Sequence, residues 1–134
     1  MKIFLVDDAE IIRLRVRDMI DTLEGVEFSG EATQASEAIT HILETKPDVV
    51  ILDLWLEGTS GLYVLREIKA QLPLIDVIVF TNHDSHEYRK ACLQEGANYF
   101  LGKTKEYEKL KLLLVGLVGE HRLNPDKTLS STLE

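Results

Sequence analysis

Five short apolar runs, each followed by an amphipathic stretch, constrain this chain more than any other feature. The runs are Ile3-Phe4-Leu5-Val6, Val26-Glu27-Phe28, Val49-Val50-Ile51-Leu52, Val77-Ile78-Val79-Phe80 and Tyr99-Phe100-Leu101. Three of them lack polar alternation and are rich in β-branched and aromatic residues, as strands are when helices cover both faces of a sheet. Between the runs, apolar residues recur at helical spacing. Ile12, Val16, Met19, Ile20 and Leu23 form the first such set, and Ala35, Ala38, Ile39, Ile42 and Leu43 the second. Leu62, Leu65, Ile68 and Leu72 lead to Pro73, Tyr88, Ala91 and Cys92 lead to Gly96, and a last helix is expected over 104–121. Strand–helix units repeated five times, with right-handed crossovers, imply an α/β fold: a doubly wound five-stranded parallel sheet with helices on both faces.

Composition narrows what such a fold can do. The 134 residues suit one domain, expected over residues 1–121, with the polar, Ser/Thr-rich residues 122–134 as a short C-terminal tail. The net charge of −8 is unevenly placed: residues 1–62 carry 13 acidic and 5 basic side chains, whereas residues 63–134 carry 10 of each. Without a basic stripe the chain lacks the cations that neutralise phosphates, so neither nucleic acid nor an anionic membrane is an expected partner. The single cysteine, Cys92, excludes an internal disulfide, suits the reducing cytoplasm and reads as a small buried hydrophobe. One lysine before the first strand is too little for a signal peptide. The apolar run at 112–119 falls far short of the ~20 residues that a membrane-spanning helix needs, so no membrane insertion is expected.

In an open parallel sheet, ligands bind beyond the carboxyl ends of the strands, so the residues directly after each run carry the information. These are Asp7 and Asp8 after the first run, Asp53 after the third, Thr81 at the end of the fourth and Lys103 past the fifth. An Asp after a strand can simply cap the next helix, and Asp8 alone could do so. Three neighbouring carboxylates instead repel one another unless a cation binds or some are protonated. Hard oxygen ligands suit Mg²⁺, which commonly bridges to a phosphate. Asp53 closes a fully apolar strand, an environment that desolvates and orients a carboxylate for attack on phosphorus. Lys103 and Thr81 supply an ammonium and a hydroxyl for phosphoryl oxygens.

With these residues in view, the sequence resembles a response-regulator receiver domain, with the flavodoxin-like (βα)5 fold, over about residues 2–121. The resemblance rests on Asp7-Asp8, on Val49-Val50-Ile51-Leu52-Asp53-Leu54-Trp55-Leu56 followed by Gly61, on Val79-Phe80-Thr81, and on Gly96-Ala97-Asn98-Tyr99-Phe100-Leu101-Gly102-Lys103. It implies that Asp53 accepts a phosphoryl group from a sensor histidine kinase or histidine phosphotransfer protein. It implies Mg²⁺ held by Asp8, Asp53 and the main-chain carbonyl of Trp55, with Asp7 acting through metal-bound water. Lys103 would contact the phosphoryl group, Thr81 would move to it as a switch, and Phe100 stands at the rotating aromatic position. The chain departs from the family pattern at four places. Leu56-Glu57 replaces Met-Pro, Asn82 replaces a small residue after the switch, Thr104 follows Lys103 where a cis-proline is usual, and Phe100 lacks a tyrosine hydroxyl. A cis bond before Thr104 would cost ~3 kcal/mol, so a trans bond is expected. Trp55 and His83, two residues beyond Asp53 and Thr81, flank the path of an attacking water in such folds, and a bulky Trp55 would slow hydrolysis.

The last helix carries a second apolar set. Leu110, Leu113, Leu114 and Leu117 make a core face, while Leu112, Val115 and Val118 either widen it or offer a partner surface for a downstream protein or a homodimer through the last two helices. Arg13, Arg15 and Arg17 read as solvated positions on the first helix, where a kinase would dock in the family. His41, His83, His86 and His121 lack ligand spacing. The expectation is thus a stand-alone receiver of a two-component phosphorelay, not an enzyme with a separate substrate. The alternatives are a phosphorylation-independent pseudo-receiver, for which Asn82, Thr104 and Glu57 leave room, and an aspartyl-phosphate phosphatase. The last lacks its second Asp, because Trp55 stands two residues after Asp53.

Overall fold

The computed structural model describes residues 1–123. In chain order the elements are β1 (Lys2–Val6), α1 (Glu10–Asp21), β2 (Glu27–Ala32), α2 (Ala35–Thr45), β3 (Val49–Leu52), β4 (Trp55–Leu56), β5 (Thr59–Ser60), α3 (Gly61–Gln71), β6 (Asp76–Thr81), α4 (His86–Gln94), β7 (Tyr99–Gly102) and α5 (Tyr107–Leu123). Five strands form one sheet in the order β2-β1-β3-β6-β7, every neighbouring pair parallel. The expected doubly wound architecture is the one observed.

The unalternating apolar runs have a simple cause. In β1, Ile3 and Leu5 point into one core with Val16 and Ile20 of α1 and Leu110, Leu114 and Leu117 of α5. Phe4 and Val6 point into the other, with Ala38 and Ile42 of α2, Val64, Leu65 and Ile68 of α3, and Cys92 of α4. Successive side chains leave a strand on opposite faces, so a strand covered by two helices above and three below must be apolar at every position. The three central strands β1, β3 and β6 are buried almost throughout.

The structure corrects several boundaries. The second strand is not confined to Val26–Phe28; it runs through Ala32. It is an edge strand, half exposed along most of its length, and a register shift opposite Ile3/Phe4 interrupts it. Gly30 lies at that shift with φ of 153°, and a side chain there would press on the Phe4 ring. The segment after Asp53, for which the sequence shows no strand, contains a small antiparallel hairpin of β4 and β5 turned at Gly58, whose φ is 86°. The last helix starts at Tyr107 rather than 104 and passes beyond 121 to Leu123. Residues 103–106 form a turn in which Glu106 N–H donates to the Gly102 carbonyl. The tail expected from 122 onward lies, apart from its first two residues, outside the described residues.

This scaffold holds the strand ends rigidly. Asp7 N–H donates to the Ala32 carbonyl, Asp53 N–H to Val6 and Lys103 N–H to Thr81, at 3.1, 2.9 and 2.8 Å. Each residue just past a strand therefore remains tied to its neighbouring strand. Gly61, the first residue of α3, completes the frame: its N–H donates to the Leu54 carbonyl at 2.6 Å. A Cβ at Gly61 would run into the Asp53 carbonyl.

Candidate functional site

Three elements bring Asp7, Asp53 and Lys103 to one point at the carboxyl edge of the sheet. The Lys103 ammonium lies 2.7 Å from Asp7 Oδ2 and 3.0 Å from Asp53 Oδ2. All three are buried, with relative exposures of 2% for Asp7, 7% for Asp53 and 8% for Lys103. The Lys103–Thr104 peptide bond is trans, and the lysine reaches both carboxylates from that backbone. Asp7 uses its other oxygen to accept from Ala9 N–H at 2.9 Å. Asp53 Oδ1 is different: it is buried and has no hydrogen-bond partner among the described residues. A buried unsatisfied carboxylate oxygen is costly in an inert site, and it marks the position where something is meant to bind.

Asp8 sits beside this pair, exposed to solvent. It is not a cap: the N-cap of α1 is Ala9, which has no side-chain hydrogen bond. Its carboxylate is thus left for the cluster, and ligand oxygens of Asp7, Asp8 and Asp53 lie within 4.8 Å of one another. Three hard carboxylate donors with one orphaned oxygen fit a divalent cation of the Mg²⁺ kind.

The electrostatics agree with a site short of positive charge. Burial pushes the Asp7 carboxyl above its ordinary value, Lys103 opposes this, and Asp53 adds to it. For Lys103, burial favours the neutral amine, but hydrogen bonds and attraction to Asp7 and Asp53 outweigh it, so its pKa is raised. Asp7 holds its proton more tightly chiefly because it is buried, and Lys103 because the two carboxylates beside it outweigh its burial.

Thr81 ends β6 fully buried, and its hydroxyl accepts from His83 N–H at 3.1 Å. Phe100 is buried in the core beneath α4. Arg89 of α4 covers its ring, 4.8 Å from the centroid, and donates to its carbonyl at 3.0 Å. Arg89 also pairs with Glu106 at 3.1 Å, and the same Glu106 oxygen accepts from Gly102 N–H. The Gly102 bond, with Lys109 and Arg89, holds the Glu106 carboxyl below its ordinary value. Sequence reasoning missed this tie between α4 and the turn after β7, because Arg89 and Glu106 stand 17 residues apart with no motif linking them. It also missed Tyr88, which joins Trp55 and His83 in a three-ring cluster with centroids 5.1–6.3 Å apart. Trp55 remains 46% exposed there. Asn82 is exposed, its side chain accepting from the Thr104 hydroxyl at 3.3 Å, which joins the loops after β6 and β7.

Arg15 and Arg17 of α1 are exposed as expected and Arg13 is half-buried, and all three have partners. Arg13 pairs with Glu31 and donates to the Asp7 carbonyl, Arg17 pairs with Glu31 and lies over Phe28, and Arg15 lies over Tyr107. They fasten α1 to β2 and α5. Cys92 is buried as expected, and burial raises its thiol to about 11, which leaves it unreactive.

A doubly wound parallel sheet with buried carboxylates, a lysine and a threonine gathered on its carboxyl edge defines a flavodoxin-like domain with an acidic pocket at its strand ends. The family model of the response regulator receiver domain matches residues 3–114, and the chain belongs to that family. Phosphorylation and Mg²⁺ binding in two-component signalling are general properties of the family. The chain is 33% identical over 124 residues to the uncharacterized transcriptional regulatory protein YhcZ of Bacillus subtilis, covering 92% of this chain and 58% of that protein. It is 34% identical over 106 residues to the response regulator protein VraR of Staphylococcus epidermidis, covering 78% of this chain and 50% of that protein. Among solved structures, a LuxR-family two-component response regulator from Aurantimonas superposes with a TM-score of 0.82 at 26% identity, covering 99% of this chain and 98% of that one. The chain spans about half the length of these curated relatives. The stand-alone expectation therefore draws no support from them, and the transcriptional role named for YhcZ is a description of that whole protein. Among the described residues no helix is long and apolar enough to cross a membrane.

Proposed function

We propose that this chain is a cytoplasmic phosphorylation-operated switch in which Asp53 takes a phosphoryl group from a sensor histidine kinase or a histidine phosphotransfer protein. The observation that carries this reading is the Asp53 carboxylate itself: buried at a strand end, anchored through Oδ2 to Lys103, with Oδ1 unpartnered. In the transfer, a carboxylate oxygen of Asp53 forms the new O–P bond as the P–N bond to the donor imidazole breaks, and the imidazole nitrogen keeps the electron pair. Asp8, Asp53 and the Trp55 main-chain carbonyl would hold Mg²⁺, with Asp7 acting through a bound water. When bound, that ion supplies positive charge opposite the phosphoryl oxygens.

The remaining steps belong to the chain. Lys103 is already within hydrogen-bonding distance of the acceptor carboxylate and neutralises charge arriving there. Phosphorylation adds about −1.5 to −2 charge, which attracts the Thr81 hydroxyl. That hydroxyl now holds His83 N–H, so its movement releases the loop carrying one ring of the Trp55–His83–Tyr88 cluster. Repositioning of α4 follows, giving two states with different affinity for a protein target or a second copy. Rotation of Phe100 requires Arg89 to loosen its hold on the ring and carbonyl. The chain is a phosphoacceptor with self-catalysed uptake and hydrolysis, not an enzyme acting on a separate substrate.

The test is incubation with acetyl phosphate and Mg²⁺, followed by intact mass. A gain of one phosphoryl group that is absent in Asp53→Asn supports the reading. Continuous release of phosphate without a trapped species points to a phosphatase, and no gain under any condition removes the phosphoacceptor role.

A further inference from the structure

Two successive residues of the edge strand β2 hold both polar groups of the Asp7 main chain. Asp7 N–H donates to the Ala32 carbonyl at 3.1 Å, and the Asp7 carbonyl accepts from Arg13 Nη1 at 2.7 Å. Arg13 Nε lies 3.0 Å from Glu31 Oε2, and Arg17 Nη1 takes the other Glu31 oxygen at 3.3 Å. The Glu31 carboxylate is thus oriented from both sides. A guanidinium is a planar fork, and one whose Nε and Nη1 are both engaged has little freedom to turn. The Arg13 side chain is only 16% exposed, against 45% for Arg17.

The carbonyl that Arg13 holds belongs to the Asp7–Asp8 peptide unit. Because that unit is planar, fixing its oxygen fixes the plane from which the Asp8 side chain departs. Asp8 has little else to direct it. Its side chain is exposed, and among the described residues it enters no ion pair. Ala9, the N-cap of α1, makes no side-chain hydrogen bond that would hold the turn. The direction of the Asp8 carboxylate therefore depends on its backbone.

We propose that Arg13, oriented by Glu31, is a positioning residue for the cation site: it sets the affinity for Mg²⁺ by fixing the peptide unit that carries Asp8. The inference rests on the reading that Asp7, Asp8 and Asp53 hold that ion. Two effects of the guanidinium oppose each other, which makes the role separable. As a cation bonded to the backbone of the acidic cluster, it repels a divalent ion, so by charge alone its removal tightens binding. As the holder of the Asp7–Asp8 peptide, its removal frees Asp8 and weakens binding. Glu31 pairs with Arg13 and offsets its charge, which shrinks the first effect and leaves the second in place. Groups that orient metal ligands from behind commonly contribute tenfold or more to affinity.

Isothermal titration of Mg²⁺ into the full chain, well below Tm, tests it. Arg13→Met should weaken Mg²⁺ binding about tenfold. Arg13→Lys should weaken it nearly as much, because a compact ammonium on a flexible stem keeps the charge but lacks the planar fork. Arg13→Lys also keeps most of the stem, so it decides the matter if Arg13→Met does not fold. Arg15→Met removes a charge from the same helix without touching the Asp7–Asp8 peptide, and should leave Mg²⁺ affinity unchanged or slightly higher. The Mg²⁺ concentration for half-maximal labelling by acetyl phosphate should rise in step with each loss of affinity. Unchanged or tighter binding in folded Arg13→Met, full affinity in Arg13→Lys, or an equal loss in Arg15→Met would overturn the inference and leave the metal reading standing. If the unsubstituted chain takes up no Mg²⁺, and so matches Asp8→Asn, the metal reading falls and the inference with it.

Discussion

Two regions of this molecule break the ordinary partition of side chains in opposite directions. At the carboxyl edge of the sheet, Asp7, Asp53 and Lys103 are charged groups inside. Along α5, Leu112, Val115 and Leu123 are apolar groups outside. Buried charges are rarely tolerated unless paired, and large exposed apolar groups rarely cluster without use. The difference lies in how each region is balanced within the chain. The charged site is nearly closed by its own lysine, leaving one carboxylate oxygen open. Among the described residues nothing covers Leu112, Val115 and Leu123 on α5.

The largest effect should come from breaking the internal balance of the charged site. Lys103→Met leaves Asp7 and Asp53 buried without a cation and should destabilise the metal-free protein by about 3 kcal/mol. Thermal melts check this, and added Mg²⁺ should recover part of the loss. Next in size, Mg²⁺ at tenfold above its dissociation constant should stabilise the wild type by about 1.4 kcal/mol, an effect that Asp8→Asn should largely remove. The contrasting region should respond in the other direction. Gly116→Ala meets no atom of the described residues and should stabilise the folded chain by about 0.5–1 kcal/mol, measured by denaturant unfolding at low protein concentration.

The smallest expected effect is a pH dependence. The Asp7 carboxyl lies above its ordinary value when folded, so between the two values the folded state binds more protons than the unfolded one. This group therefore makes the metal-free protein lose stability as pH rises through that window. Mg²⁺ competes with the proton, so its affinity should fall as pH drops through the same window. Isothermal titration of Mg²⁺ against pH measures the trend, and Asp7→Asn should flatten it.

Much of this was legible in the sequence because its causes are local or repetitive. The β1, β3 and β6 runs announce themselves, since two covered faces leave no position for a polar residue. Asp7, Asp53 and Thr81 were found by standing at the ends of those runs, and Lys103 by following the fifth run. β2 was misplaced because an edge strand with Glu27, Ser29 and Glu31 and a bulge at Gly30 presents no clean period. The β4–β5 hairpin was missed because two-residue strands are too short for any period to register. On α5, Val118 was placed with Leu112 and Val115, yet it is buried at 7%. Helical spacing gives the angle of a side chain but not the width of the groove it faces. The shared partner of Arg13 and Arg17 was not foreseen because Glu31 lies on a strand whose extent the sequence did not show.

The central claim is that the open oxygen and lysine anchor of Asp53 make it the phosphoryl acceptor. Peptide mapping after treatment with acetyl phosphate and Mg²⁺ addresses it most directly, with hydroxylamine to cleave any acyl phosphate. The phosphoryl group should map to the peptide containing Asp53, be lost with hydroxylamine, and be absent from Asp53→Asn. A hydroxylamine-stable label on another residue, or equal labelling of Asp53→Asn, would contradict it.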